Sequence, residues 1–151
     1  MTTSTLPGPK HTLLLVEDSP AEVQIVQRAL KELNKPVQLV VVRDGQEAID
    51  YLLGKKARPH LLLLDLHLPR LSGPEVLEQM RNHPDLRGMP VVLWSTSRKV
   101  EDVRACYLAG ANSFFEKPRE YGRLRDVLQT ILHYWFESAL LLPPAPKGSP
   151  P

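Results

Sequence analysis

Residues 61–69 read Leu-Leu-Leu-Leu-Asp-Leu-His-Leu-Pro, and this stretch decides the fold. Four consecutive leucines are typical of a strand that is buried on both faces, as strands are in a parallel sheet. A carboxylate, Asp65, directly follows the run. We therefore expect a buried strand that delivers Asp65 to the carboxyl edge of a parallel sheet, the edge at which open α/β folds bind their ligands.

Four other short apolar runs surround this strand, and helix-like segments alternate with all five. The other runs are residues 13–16, 37–42, 91–94 and 113–115. A helix start is readable after the first run, where Ser19, Pro20 and Glu22 predict a capping box. The alternation predicts an α/β fold of the (βα)₅ type: a doubly wound, parallel, five-stranded sheet with helices on both faces.

Bulk composition is that of an ordinary globular domain and excludes several classes of partner. The formal net charge of the 151 residues is only +2, which predicts no binding to nucleic acid or to an anionic membrane. The single cysteine, Cys106, fits a reducing cytoplasm. Residues 1–10 predict a flexible N-terminus without the apolar core of a signal peptide, and residues 143–151 predict a disordered, proline-rich tail.

Polar side chains end four of the predicted strands. Glu17 and Asp18 follow the first, Asp65 the third, Ser95 the fourth and Lys117 the fifth. Because parallel strands end at one edge of the sheet, these groups are expected to converge. Clustered carboxylates repel one another unless a cation joins them, and an all-oxygen set suits Mg²⁺. A carboxylate is also a nucleophile that forms an aspartyl phosphate, with lysine pairing to the phosphoryl oxygens.

The chain resembles the receiver domain of two-component response regulators, a flavodoxin-like fold with strand order 2-1-3-4-5. The resemblance lies in Val16-Glu17-Asp18-Ser19, Leu64-Asp65-Leu66-His67-Leu68-Pro69 with Gly73, Ser95-Thr96-Ser97 and Phe114-Phe115-Glu116-Lys117-Pro118. Within that family it is most similar to the small single-domain regulators of phytochrome-type histidine kinases. That narrower likeness rests on the first of these stretches, on residues 93–97 and on Tyr134-Trp135-Phe136-Glu137, which a Leu-Pro ending follows.

Carried over position by position, the resemblance implies a role for each residue of the predicted site. Asp65 would be the phosphoacceptor, and Lys117 would contact the phosphoryl oxygens. Ser95 would be the switch hydroxyl that moves toward the phosphate, and Phe114 the aromatic side chain that follows it. The Mg²⁺ ligands would be Glu17, Asp18, Asp65 and the backbone carbonyl of His67. A cis peptide bond would join Lys117 to Pro118.

The implied function is a bacterial, cytoplasmic phosphorelay protein without an output domain of its own. It would accept a phosphoryl group on Asp65 from a histidine kinase and would signal through another protein that the sequence does not name. It would not be a metabolic enzyme, although limited self-phosphorylation and self-dephosphorylation are expected. Two alternatives stay open: an aspartyl-phosphate phosphatase, which needs a second Asp where His67 stands, and an adaptor that works without phosphorylation.

The end of the chain predicts a second functional surface. With residues 11–132 forming the receiver domain, residues 133–142 are expected to form a C-terminal arm that extends helix five, which would run from Tyr121 to about Leu142. Aromatic and apolar residues cover most of the circumference of this arm, more than one helix face buries. We therefore expect a homodimer built on four of them: Tyr134, Trp135, Phe136 and Leu140. The alternative is that the arm folds back as an extra core layer.

Overall fold

A computed structural model describes residues 11–54 and 56–144, along which strands and helices alternate. The strands are β1 (His11–Val16), β2 (Val37–Val42), β3 (Leu61–Asp65), β4 (Val91–Ser95) and β5 (Ser113–Glu116). The helices are α1 (Pro20–Leu33), α2 (Gly45–Leu53), α3 (Gly73–Arg81), α4 (Val100–Ala109) and α5 (Tyr121–Leu132). The N-terminal segment 1–10 lies outside the described residues, as do residues 145–151 of the predicted tail.

The five strands form one parallel sheet in the order β2-β1-β3-β4-β5, which confirms the predicted topology. In this register Val16 pairs with Leu64, and Asp65 pairs with Trp94. Because the strands end at similar heights, the residues that follow them lie along one edge. Within the described residues, no helix is both long and apolar enough to span a membrane.

Helices cover both faces of the sheet, so successive residues of a central strand are buried on opposite sides. Leu62 and Leu64 belong to the core layer that contains residues of α2, α3 and α4. Leu61 and Leu63 belong to the layer that contains residues of α1 and α5. All four leucines are fully buried. Burial on both faces explains why the strand reads as a continuous apolar run rather than as an alternating one.

The N-terminal caps of α1 and α3 differ. In α3 the capping box is complete, because Ser72 and Glu75 each accept a hydrogen bond from the backbone of the other. In α1 the Ser19 hydroxyl accepts from the backbone N–H of Glu22 at 3.4 Å, as predicted. The return bond is replaced, because the Ser19 N–H donates to Glu17 Oε2 at 3.2 Å. The Glu22 carboxylate is therefore available for another partner.

The course of the C-terminal arm differs from the expected continuous helix. Helix α5 ends at Leu132, a π-helical turn follows over His133–Ser138, and residues 139–144 are not helical. The turn closes with a hydrogen bond of 2.7 Å from the Ala139 N–H to the Tyr134 carbonyl. The expectation that helix five runs to about Leu142 is therefore wrong.

Contacts with the base of the sheet, the edge where the strands begin, explain this course. The Phe136 ring stacks on His11 with centroids 4.4 Å apart, and Lys35 Nζ donates to Glu137 Oε1 at 2.7 Å. Trp135 and Phe136 pack against the α1 and α5 core layer and are half-buried. Residues of the arm thus fold back in part, while Leu140 stays fully exposed.

Substitution of Gly73 by alanine tests how closely α3 must approach the end of β3. A Cβ at this position would lie 2.9 Å from Leu93 Cδ1 and 3.0 Å from the carbonyl oxygen of Asp65. We expect Gly73→Ala to lower the free energy of unfolding by about 1–3 kcal/mol, because overpacking forces α3 away from the strand. Urea denaturation followed by circular dichroism measures the change.

The matched control is Gly88→Ala, because a Cβ at Gly88 meets no heavy atom nearer than 3.6 Å. This control should stay within about 0.5 kcal/mol of the wild type, as unstrained surface substitutions do. Equal losses in the two variants, or no loss in Gly73→Ala, would contradict the expected crowding at Asp65.

Candidate functional site

Four side chains predicted from the strand ends meet at the carboxyl edge of the sheet. Glu17 follows β1, Asp65 ends β3, Ser95 ends β4 and Lys117 follows β5. Each is buried, with no more than 9% of its surface accessible. Charged groups are rarely buried unless they are paired, so the partners of these groups indicate what the site holds.

The Lys117 ammonium lies among three carboxylates. Its Nζ is 2.9 Å from Glu17 Oε1, 3.3 Å from Glu22 Oε1 and 3.6 Å from Asp65 Oδ2. These carboxylates come from three separate segments: the end of β1, the first turn of α1 and the end of β3. One cation therefore ties together the elements that form this edge of the sheet.

The backbone of Lys117 also fixes its position. Its N–H donates to the Ser95 carbonyl at 2.7 Å, which joins the end of β5 to the end of β4. The following peptide bond, to Pro118, is trans, whereas the resemblance implied a cis bond. The trans isomer is the favoured one even before proline.

Burial and like charge make the acidic cluster electrostatically unfavourable. Burial, together with the charges of Glu17 and Glu22, raises the pKa of Asp65 to about 7, although the Lys117 ammonium acts in the opposite direction. Burial alone would lower the pKa of Lys117, but the three carboxylates outweigh that effect and raise it. Three acids facing a single ammonium favour the binding of a second cation.

Ser95 and Phe114, the predicted switch residues, lie at the end of β4 and in β5. The Ser95 hydroxyl oxygen accepts a hydrogen bond from the Ser97 N–H at 3.1 Å, which leaves its own O–H available to donate. The Phe114 side chain is half-buried and packs against the α2, α3 and α4 core layer. Their movement on phosphorylation stays a prediction.

The donor set suits a divalent cation. Carboxylate oxygens of Glu17, Glu22 and Asp65 all lie within 4.8 Å of one another. Oxygen ligands of this kind are those that Mg²⁺ prefers. Two of the predicted ligands, Glu17 and Asp65, are therefore brought together. The side chains of Asp18 and His67 are exposed beside the cluster, and their roles in metal binding stay predictions.

Two neighbours of the site were not predicted from sequence. Glu22 was interpreted only as a helix cap, yet it contacts Lys117. An acidic residue in the first turn of α1 could have indicated this contact, because that turn lies at the same edge as the strand ends. The second neighbour is Trp94, whose ring centroid is 5.2 Å from Lys117 Nζ. From the sequence, Trp94 was interpreted as part of an apolar run and of the stretch 93–97 that carries the narrower likeness, but not as a neighbour of the site.

Comparison with known proteins agrees with this geometry. A family model of the response regulator receiver domain matches residues 13–129, a span that contains Glu17, Asp65, Ser95 and Lys117. The chain belongs to the response-regulator receiver family. The resemblance seen in the sequence motifs is confirmed, and the protein is a signalling receiver.

Several phytochrome-associated and related regulators are similar to this receiver over most of its length. The response regulator Rcp1 of Synechocystis sp. is 38% identical over 139 residues, which cover 89% of this chain and 95% of Rcp1. The crystal structure of the phosphorylated cyanobacterial phytochrome response regulator RcpA is 36% identical with a TM-score of 0.81, covering 87% of this chain and 97% of RcpA. The Mn²⁺-bound crystal structure of Rcp1 has a TM-score of 0.80 at 38% identity and covers 87% of this chain and 99% of that one.

These similarities confirm the narrower likeness to phytochrome response regulators and the strand order. They also show that receivers of this kind bind a divalent metal, since one of the similar structures is a Mn²⁺-bound form. The acidic cluster of this receiver has the oxygen donors such an ion requires.

Trp94 provides an optical probe of metal binding at the site. A cation bound beside Glu17 and Asp65 would change the electric field around the Lys117 ammonium, which lies 5.2 Å from the centroid of the Trp94 ring. We therefore expect MgCl₂, added at constant ionic strength, to change the Trp94 fluorescence with a single-site saturation curve.

The chain has two tryptophans, so two variants separate their contributions. Trp135→Phe should keep the full response, and Trp94→Phe should lose it. A response that persists in Trp94→Phe, or one that is absent from Trp135→Phe, would contradict metal binding beside Lys117 and Trp94.

Proposed function

We propose that this receiver is a single-domain, cytoplasmic response regulator that accepts a phosphoryl group on Asp65 from a phytochrome-type histidine kinase. The observation that carries the proposal is the buried Asp65 carboxylate 3.6 Å from the Lys117 ammonium at the carboxyl edge of the sheet. Similarity to RcpA, a phytochrome response regulator, supports the class of kinase. Residues 11–132 would form the receiver domain.

The transfer needs a nucleophile and groups that balance the charge of the phosphoryl group. An Asp65 oxygen would attack the phosphorus of the kinase phosphohistidine, so that an O–P bond forms while the P–N bond breaks. The bonding electron pair of the P–N bond stays with the imidazole nitrogen. Lys117 would pair with one phosphoryl oxygen, and the Ser95 hydroxyl would donate to another. The same arrangement would allow limited self-phosphorylation by small phosphodonors.

Mg²⁺, when bound, supplies positive charge that the three carboxylates and the phosphoryl group together require. Glu17 and Asp65 already face each other in the buried cluster. Asp18, which follows Glu17 directly, and the backbone carbonyl of His67 would complete the protein ligands. Asp18 is exposed, so its carboxylate is accessible to water.

Phosphorylation would act as a switch through Ser95 and Phe114. The Ser95 O–H would turn toward the phosphoryl group, and Phe114 would follow into the space beside β4. The surface formed by α4, β5 and α5 would then change the partners it binds. The downstream protein is not identified by these features.

The two alternative functions receive less support. A phosphatase that works through an aspartyl phosphate would need an acid at position 67, where the exposed His67 stands. An adaptor that works without phosphorylation would have no use for four buried polar groups at the strand ends, because burying charge costs free energy. Rcp1 and RcpA, which are similar to this chain over most of its length, are response regulators.

Acetyl phosphate with Mg²⁺ should add one phosphoryl group to the wild-type protein, and Asp65→Asn should abolish the addition because the nucleophilic oxygen is replaced by an amide. Intact-mass spectrometry measures the added mass. The control Asp126→Asn removes a carboxylate of α5 that lies away from the cluster and should phosphorylate like the wild type. Phosphorylation of the Asp65→Asn protein to the wild-type level would refute the assignment of Asp65.

We also propose a symmetric homodimer that forms through the C-terminal arm. Trp135 and Phe136 hold the arm against its own domain, as their half-burial indicates. Tyr134 and Leu140 are 56% and 100% exposed and would contact a second copy. Leu142, which is 76% exposed, extends the same apolar segment. Two copies of one patch related by a two-fold axis would cover each other.

Leu140→Lys should raise the dissociation constant of the dimer by about tenfold or more, because it removes a leucine that the proposed dimer would bury and adds a charge there. Sedimentation velocity measures the dimer fraction over a concentration series. The control is Leu108→Lys on α4, where the leucine is 81% exposed. A wild-type protein that stays monomeric at high concentration, or a dimer lost in Leu108→Lys instead, would contradict this interface.

A further inference from the structure

The Glu22 side chain reaches the carboxyl edge of the sheet, although its position in α1 predicts that it caps the helix. As the third residue of α1 after the Ser19 cap, its carboxylate would bond to the Ser19 N–H in a complete capping box. That N–H is instead bonded to Glu17 Oε2 at 3.2 Å. Helix α3 has both bonds of its capping box, whereas α1 has only the bond from the Glu22 N–H to the Ser19 hydroxyl. The Glu22 carboxylate, released from the cap, accepts from Lys117 Nζ at 3.3 Å.

The ammonium is shared unequally among its acidic partners. It lies closer to Glu17 and Glu22, at 2.9 and 3.3 Å, than to Asp65, at 3.6 Å. Glu17 is fixed, since its side chain is 1% exposed and its second oxygen binds the backbone. Glu22 has a side chain that is 38% exposed, so it is the partner that solvent can most easily replace.

We propose that Glu22 is a positioning residue that holds Lys117 back from Asp65 in the unphosphorylated protein and competes with the phosphoryl group for the ammonium. The inference rests on the proposed role of Asp65 as phosphoacceptor. Phosphoryl oxygens attract an ammonium strongly. Lys117 must leave Glu22 to pair with them fully, so Glu22 sets part of the free-energy difference between the two states.

The test measures binding of beryllofluoride, a mimic of the phosphoryl group, at saturating Mg²⁺. The ¹⁹F NMR signal of the bound species gives the occupied fraction. Glu22→Gln keeps the shape of the side chain and removes its charge. We expect it to bind beryllofluoride about two- to fivefold more tightly, the range for a partly exposed ion pair.

Two further comparisons separate positioning from a general charge effect. Glu75→Gln changes the equivalent residue of α3, which is engaged in its own capping box, and should leave the affinity unchanged. In a Lys117→Met background, Glu22→Gln should no longer matter, because a residue that acts through Lys117 needs Lys117. An independent measure comes from urea denaturation in the absence of metal. The free energies of unfolding of the wild type, the two single variants and the double variant give the coupling energy between Glu22 and Lys117, which should be favourable.

Distinct results would overturn the inference. An unchanged affinity in Glu22→Gln, an effect that persists in Lys117→Met, or zero coupling in the denaturation cycle would each do so. A loss of Mg²⁺ affinity of about tenfold or more would assign Glu22 to the metal instead. If the wild-type protein does not bind beryllofluoride, the proposed function fails together with the inference; if it binds and Glu22→Gln is identical, the inference alone fails.

Discussion

The site at the carboxyl edge of this receiver depends on one interaction, the burial of a single ammonium among three carboxylates. Lys117 links the end of β1, the start of α1 and the end of β3, while its backbone bonds to β4. Without that cation, three acids would face one another in a poorly hydrated space, and Asp65 would lose its ionised form more readily. The parallel sheet makes the cluster possible, because only strands that end at one edge bring these groups together.

Much of this arrangement could be predicted from sequence because it follows from two regular patterns. Continuous apolar runs such as residues 61–64 predicted strands buried on both faces, and their alternation with helices predicted a parallel sheet. In such a sheet, the residues that follow the strands all lie at the carboxyl edge. Asp65, Ser95 and Lys117 were therefore placed correctly at the same edge from the order of residues alone.

The errors arose where several partners compete for one group. Glu22 was predicted as a cap, but Glu17 takes the N–H that it would have bonded, and no local pattern reveals that exchange. The arm was predicted as a continuous helix from its composition. Its course depends on distant contacts, chiefly the stacking of Phe136 on His11, which helical periodicity does not encode.

The two ends of β1 contribute to different parts of the molecule. Glu17 follows its last residue at the acidic cluster, and His11, its first residue, holds Phe136 of the arm. The six residues of the strand separate these points by about 20 Å. Selection can therefore act on the two ends of the strand separately. Receivers that share the same phosphoryl chemistry are free to diverge in the sequence of the arm, and so in how copies assemble.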